Sequence, residues 1–143
     1  MHNITLLLYD KEIKKIVLFF IGRLDRSDRM FYYEVDNEIQ LKLITQNDAE
    51  EIFAFIDRSR SYLREWLGWV DNTKTVEDTR AFAAMNLEKF AKREGLDTAI
   101  FYKGQFVGKI SINTINWTLK KCEVGYFLDE KFQGEGIMTR AVK

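Results

Sequence analysis

The chain of 143 residues contains no proline, one cysteine, one histidine and no excess of charge of either sign. The missing prolines remove X-Pro turns and the slow cis-trans folding phases they bring. A single cysteine, Cys122, excludes an internal disulfide, and a lone histidine, His2, leaves neither a histidine triad nor a His/Cys metal site to be assembled. With 22 basic against 22 acidic residues there is no global field to steer the chain to nucleic acid or to an anionic membrane, so any polyanion contact must be local. Long apolar runs are also missing. The run Ile-Val-Leu-Phe-Phe-Ile at 16–21 is the only membrane-like stretch, far short of the roughly 20 residues a spanning helix needs and without a signal-peptide cleavage site. These absences point to a cytoplasmic protein.

What is present fits one globular domain: 46% apolar and 31% charged residues, enough to bury a core. Residues 1–29 end in the charged stretch 23–29 and precede Met30, after which the elements become regular. This leader is either an added strand and helix or an upstream extension.

Residues 38–44 alternate, with Ile39, Leu41 and Leu43 on one face, and predict a half-buried strand. Thr45 and Asn47 are cap-type residues ahead of Ile52, Phe53, Phe55 and Ile56, predicting a helix from about Asp48 to Arg58. Leu63, Trp66 and Leu67 predict a second short helix interrupted by Gly68, and Thr75 with Glu77 and Asp78 opens a third that runs to Gly95. Beyond it, 98–102 and 105–114 around Lys103-Gly104 read as a hairpin with a two-residue turn. A turn at 116–121, a strand at 122–129 and a helix from Ile137 follow. The order implies an α/β or α+β domain with a sheet flanked by helices.

The sharpest local feature is Gln133-Gly134-Glu135-Gly136-Ile137-Met138-Thr139, between a strand and a helix. Two glycines and a helix start can present backbone N–H groups to an anion such as a pyrophosphate. The alternative is a plain strand-to-helix connection that uses glycine for its φ freedom. Neither a Walker loop nor a G-x-G-x-x-G fingerprint is present.

Together with this loop, Trp66-Leu67-Gly68-Trp69-Val70, Thr75-Val76-Glu77-Asp78, Phe106-Val107-Gly108 and Glu123-Val124-Gly125-Tyr126-Phe127-Leu128 resemble, in order, segments of the GCN5-related N-acetyltransferases of the RimJ/RimL type. Met138 stands where the wider family has glycine or alanine, as is common in that branch. Residues 1–29 match nothing in the family pattern.

The resemblance implies a mixed, mainly antiparallel sheet flanked by helices, with 30–143 forming the N-terminal and central part of the domain. It implies acetyl-CoA as acetyl donor, no metal, and an amine acceptor, a protein N-terminus with ribosomal proteins as candidates, without direct contact to nucleic acid or membrane. Gln133 would open the acetyl-CoA loop, backbone groups around Gly134, Gly136, Ile137, Met138 and Thr139 would hold the pyrophosphate, and Phe127 and Leu128 would pair with the pantetheine arm. Trp66 and Trp69 would wall the acceptor groove.

Amine acetylation needs a base for the attacking amine. Glu123, two residues before Gly125, is the carboxylate nearest the implied reaction centre; its alternative reading is an ordinary solvent-facing strand acid. Cys122 faces the opposite side of that strand by alternation, as a small buried hydrophobe. Asn113 and Asn116 either orient a peptide or serve turns. By the family pattern the elements after the loop's helix, and the general acid, lie beyond residue 143. On that basis 119–128 is expected to be an unpaired sheet edge, and the rival to an active transferase is an inactive remnant or acyl-CoA-binding module.

Overall fold

A computed structural model describes residues 2–7 and 32–143. The apolar run at 16–21 and the charged stretch at 23–29 lie outside them. Six strands form one sheet: β1 (His2–Leu7), β2 (Tyr32–Glu34), β3 (Ile39–Leu43), β4 (Leu96–Tyr102), β5 (Gln105–Asn116) and β6 (Lys121–Leu128). Their order is β1-β6-β5-β4-β3-β2, and every pairing among the described residues is antiparallel. Among the described residues four α-helices accompany them, α1 (Ala49–Arg58), α2 (Arg60–Arg64), α3 (Val76–Ala91) and α4 (Ile137–Val142).

Alternation places the two faces of the sheet. Ile39, Leu41, Ile100 and Val107 pack against Ile137 and Ala141 of α4. On the other face Ala99, Phe106 and Phe127 meet Ile52, Phe55 and Ile56, the i, i+3, i+4 stripe of α1. Phe55 is the centre of this layer, edge-on to Phe106 at 5.2 Å and stacked with Phe127 at 5.8 Å. The β4–β5 hairpin turns through Lys103 (φ 50°) and Gly104 (φ 78°), both left-handed, as a type I′ turn requires.

Three expectations change. The α3 helix stops at Ala91, before Gly95, because Arg93 adopts φ 60° and the Glu94 amide closes back on the Lys89 carbonyl at 2.8 Å. Trp66 lies outside α2 and is largely exposed. The outer edge of β6 is not unpaired: β1 lies along it in register from His2↔Tyr126 to Leu7↔Lys121, so the ladder is completed from the chain's own beginning. Residues 2–7 of the leader are thus a strand of this sheet. No helix among the described residues is long and apolar enough to cross a membrane.

Candidate active site

Among the described residues the β1 ladder reaches Tyr126, and β6 continues beyond it with Phe127 and Leu128. A cavity of about 560 Å³ opens there, closed by Tyr62 and Leu63 of α2, by Trp66 and Leu67, and by the loop into α4. All eight residues assigned to the donor line it: Phe127, Leu128, Gln133, Gly134, Gly136, Ile137, Met138 and Thr139.

The loop's shape follows from few constraints. Asp129 anchors its start, donating its amide to the Val107 carbonyl at 2.7 Å and accepting from the Lys131 amide at 3.0 Å. Gly134 (φ 81°) and Gly136 (φ 73°) then take left-handed conformations that a side chain would strain. The first intrahelical bond of α4 runs from the Arg140 amide to the Gly136 carbonyl, so the amides of Ile137, Met138 and Thr139 precede the helical ladder. Arg140 fixes α4 from its far side through Asp36 (2.7 Å) and Glu38 (2.9 Å) of the β2–β3 turn. The Gln133 side chain reaches across the cavity mouth and donates to the Tyr62 hydroxyl.

Glu123 does not line this cavity. It sits further back on β6, where β5 carries a bulge between Ile112 and Thr114. The bulge turns Asn113 toward it, and the Asn113 amide donates to Glu123 Oε1 at 3.3 Å. Of the two roles considered for the asparagines, Asn116 takes the turn role, accepting from the Leu119 amide at 2.8 Å, whereas Asn113 makes a contact that neither role named, its hydrogen bond to Glu123. Cys122 is buried with Leu43, Leu96 and Val124, and burial pushes its thiol pKa up.

Between Glu123 and the cavity runs a small cleft lined by Ser111, Asn113, Gly125, Tyr126 and Phe127. Tyr126 and Phe127 belong to both spaces. Trp69 and Phe82 overhang this cleft with near-parallel rings, centroids 6.5 Å apart. Trp69 is held by Arg60, which donates to the carbonyls of Val70 (2.6 Å) and Thr73 (3.0 Å) and so pins the segment after α2.

Sequence reasoning missed the polar cluster under the cleft. Buried Asp97 accepts from Lys109 at 2.8 Å, from Asn86 at 3.0 Å and from Ser111. The signal was present as Lys109, Ser111 and Asn113 at period two, but such a row reads equally as a solvent face, and here Lys109 is only 8% exposed. Among the described residues no cluster of His, Cys, Asp and Glu could hold a metal ion.

Residues 38–143 match the acetyltransferase (GNAT) domain family. The putative ribosomal N-acetyltransferase YdaF of Bacillus subtilis is 27% identical over 115 residues, covering 80% of this chain and 63% of the relative. The ribosomal-protein-serine acetyltransferase of Escherichia coli is 28% identical over 110 residues, covering 77% and 62%. The chain therefore spans a little over three fifths of the length of these relatives. Among solved structures, the microcin C7 self-immunity acetyltransferase MccE in complex with acetyl-CoA and AMP superposes with a TM-score of 0.69 at 26% identity, covering 76% of this chain and 60% of that one. RimL, the ribosomal L7/L12 alpha-N-protein acetyltransferase in complex with coenzyme A, shares the fold with a TM-score of 0.70 at 23% identity, covering 76% and 62%. A family match running from β3 through the glycine loop into α4, on a sheet of the same fold, leaves one conclusion: the chain belongs to the GNAT acetyltransferase family.

Proposed function

We propose that the protein transfers an acetyl group from acetyl-CoA to the N-terminal amine of a protein, with ribosomal proteins the leading candidates, in the cytoplasm. The observation that carries the reading is the meeting, at Tyr126 and Phe127, of the donor-sized cavity and the cleft lined by Asn113, the residue that holds the Glu123 carboxylate. The names of the relatives, two of which refer to ribosomal acetylation, support the acceptor class.

The cavity suits acetyl-CoA on its own chemistry. Its volume lies within the range of small-molecule sites, roughly 300–1,000 Å³. Phe127 and Leu128, beyond the described β1 register, are suited to pair with an extended amide-bearing arm, and the loop residues Gly134, Gly136 and Ile137 to Thr139, which line the same cavity ahead of the helical ladder, are suited to hold an anion. Acetyl-CoA, when bound, supplies an activated carbonyl: the new C–N bond forms as the thioester C–S bond breaks, and coenzyme A leaves as a thiolate that takes up a proton from water. Glu123 then takes the proton that the attacking amine must lose, directly or through one water, and Asn113 keeps its carboxylate oriented along the cleft. Trp69 covers the acceptor side and limits water.

The test separates binding from chemistry. Calorimetric titration with acetyl-CoA should show a single site that Gly136→Val weakens, since valine resists the left-handed φ. Transfer to peptide amines should fall by roughly 100-fold or more in Glu123→Gln, the contribution typical of a positioned base, with acetyl-CoA affinity unchanged. Full turnover in Glu123→Gln across the pH range would remove Glu123 from the mechanism.

A further inference from the structure

Behind the Asn113 cleft lies a second chamber of about 260 Å³, between α1, the start of α3 and the sheet. It shares Trp69, Phe82, Lys109 and Phe127 with the cleft, and Phe127 also walls the donor cavity. Resting on the acetyl-transfer reading, we propose that this chamber receives the side chain of the acceptor's amine-bearing residue and selects an uncharged one.

Position argues for it first. An amine and its side chain leave the same Cα, so an amine held in the cleft near Asn113 and Glu123 must put its side chain into an adjoining space. The chamber is that space on the side away from β1.

Lining chemistry then fixes the class. Ile52, Ile56, Trp69, Phe82 and Phe127 make the walls apolar. Lys109 is the one ammonium on them, and it is already neutralised by Asp97 at 2.8 Å, while Asp97 is saturated by Asn86 and Ser111 as well. The carboxylate at the rim, Asp78, is committed to the backbone amides of Lys74 (2.9 Å) and Thr75 (2.8 Å). A cationic side chain would enter against Lys109 with no uncommitted carboxylate to meet it, and an anionic one would have to break the Lys109–Asp97 pair. Either ion would lose its water without a counter-charge. The remaining polar side chains on the lining, Asn72, Thr73 and Thr79, are all uncharged, and the Thr79 hydroxyl, buried with no hydrogen-bond partner among the described residues, tolerates a hydroxyl or small uncharged group.

The test uses the full chain with saturating coenzyme A and five hexapeptides that differ only in a first residue of Leu, Thr, Gly, Lys or Glu. Calorimetry reads each affinity, and acetyl-CoA binding is titrated separately. Leu-first and Thr-first peptides are expected to bind at least about tenfold tighter than Lys-first and Glu-first ones. In Thr79→Leu, which narrows the chamber and leaves the lining of the cleft intact, the Leu-first peptide should weaken by about tenfold while the Gly-first peptide is unchanged, with Thr79→Val as the size-neutral control that keeps the parent's order. Equal affinity across the set, preference for Lys or Glu, no peptide binding at all, or an equal loss for Leu and Gly in Thr79→Leu overturns the proposal. The predicted order without acetyl-CoA binding would uphold the chamber and discard acetyl transfer; acetyl-CoA binding without the order would do the reverse.

Discussion

Gly108 occupies a position with no room for a side chain: a Cβ there would lie 2.3 Å from the Phe127 carbonyl oxygen and 3.0 Å from Leu128 Cα. Its register partner is Leu128, so the approach of β5 to the donor-side end of β6 depends on a hydrogen atom. Gly108→Ala must displace Phe127 and Leu128, and we expect a loss of about 1–3 kcal/mol in denaturant unfolding, as overpacking produces, with weaker acetyl-CoA binding. Gly68 serves as the contrast: a methyl group there would meet nothing within 4 Å, and its φ is not left-handed. Gly68→Ala should stay within about 0.5 kcal/mol of the parent. Asp97 is the other position where one atom group decides. Removing its carboxylate in Asp97→Ala strands the buried ammonium of Lys109, and unfolding should lose about 3–5 kcal/mol. Gly108 was legible in the sequence as part of a pattern, but its reason was not, since the contact it permits is with a strand 19 to 20 residues further along. The partnership of Lys109 with Asp97 was illegible for a different cause: a lysine on a strand gives the same alternation whether water or a helix covers its face.

At the level of elements, α3 shows how far local chemistry reaches. The Thr75 hydroxyl accepts from the Asp78 amide at 3.2 Å, and the Asp78 carboxylate accepts in return from the Thr75 amide at 2.8 Å, a capping box readable from Thr-Val-Glu-Asp alone. Thr75→Ala should cost about 1 kcal/mol by thermal or denaturant unfolding. The same box carries a pH dependence. Hydrogen bonds from the backbone amides of Lys74 and Thr75 hold the Asp78 carboxyl below its ordinary value of 3.8. A group whose pKa is lowered on folding stabilises the native chain above its unfolded value and loses that contribution as pH falls through the folded one. Asp36, held down by the Glu38 amide and by Arg140, and Glu38, held down by Arg140, act in the same direction. The melting temperature should therefore drop as pH falls below about 4, and scanning calorimetry should find a shallower drop in Asp78→Asn. Periodicity and caps made β3, α1, α3 and the β4–β5 hairpin legible within a few residues. The short β2 was not, because three residues carry no period and its hairpin rests on an Asx turn in which Asp36 accepts from the amides of Glu38 (2.8 Å) and Ile39 (3.0 Å).

For the molecule as a whole, the decisive pairing joins the two ends of the described chain. β1 meets β6 more than 110 residues away in sequence, in a register that no local pattern announces. Among the described residues this register covers β6 from Lys121 to Tyr126, and with β1 absent that whole outer row would stand open. Such a row of unpaired N–H and C=O groups on an apolar strand templates association with other chains. Deleting residues 1–7 should consequently lower the melting temperature and produce concentration-dependent oligomers by size exclusion with light scattering, relative to the full chain. Acetyl-CoA affinity should survive in whatever fraction remains monomeric, because Phe127 and Leu128 lie beyond the register of β1. A truncated chain with the parent's melting temperature and oligomeric state would show that β6 does not depend on β1. Loss of acetyl-CoA binding in a folded, monomeric truncation would show instead that β1 reaches the donor cavity through more than the edge it covers.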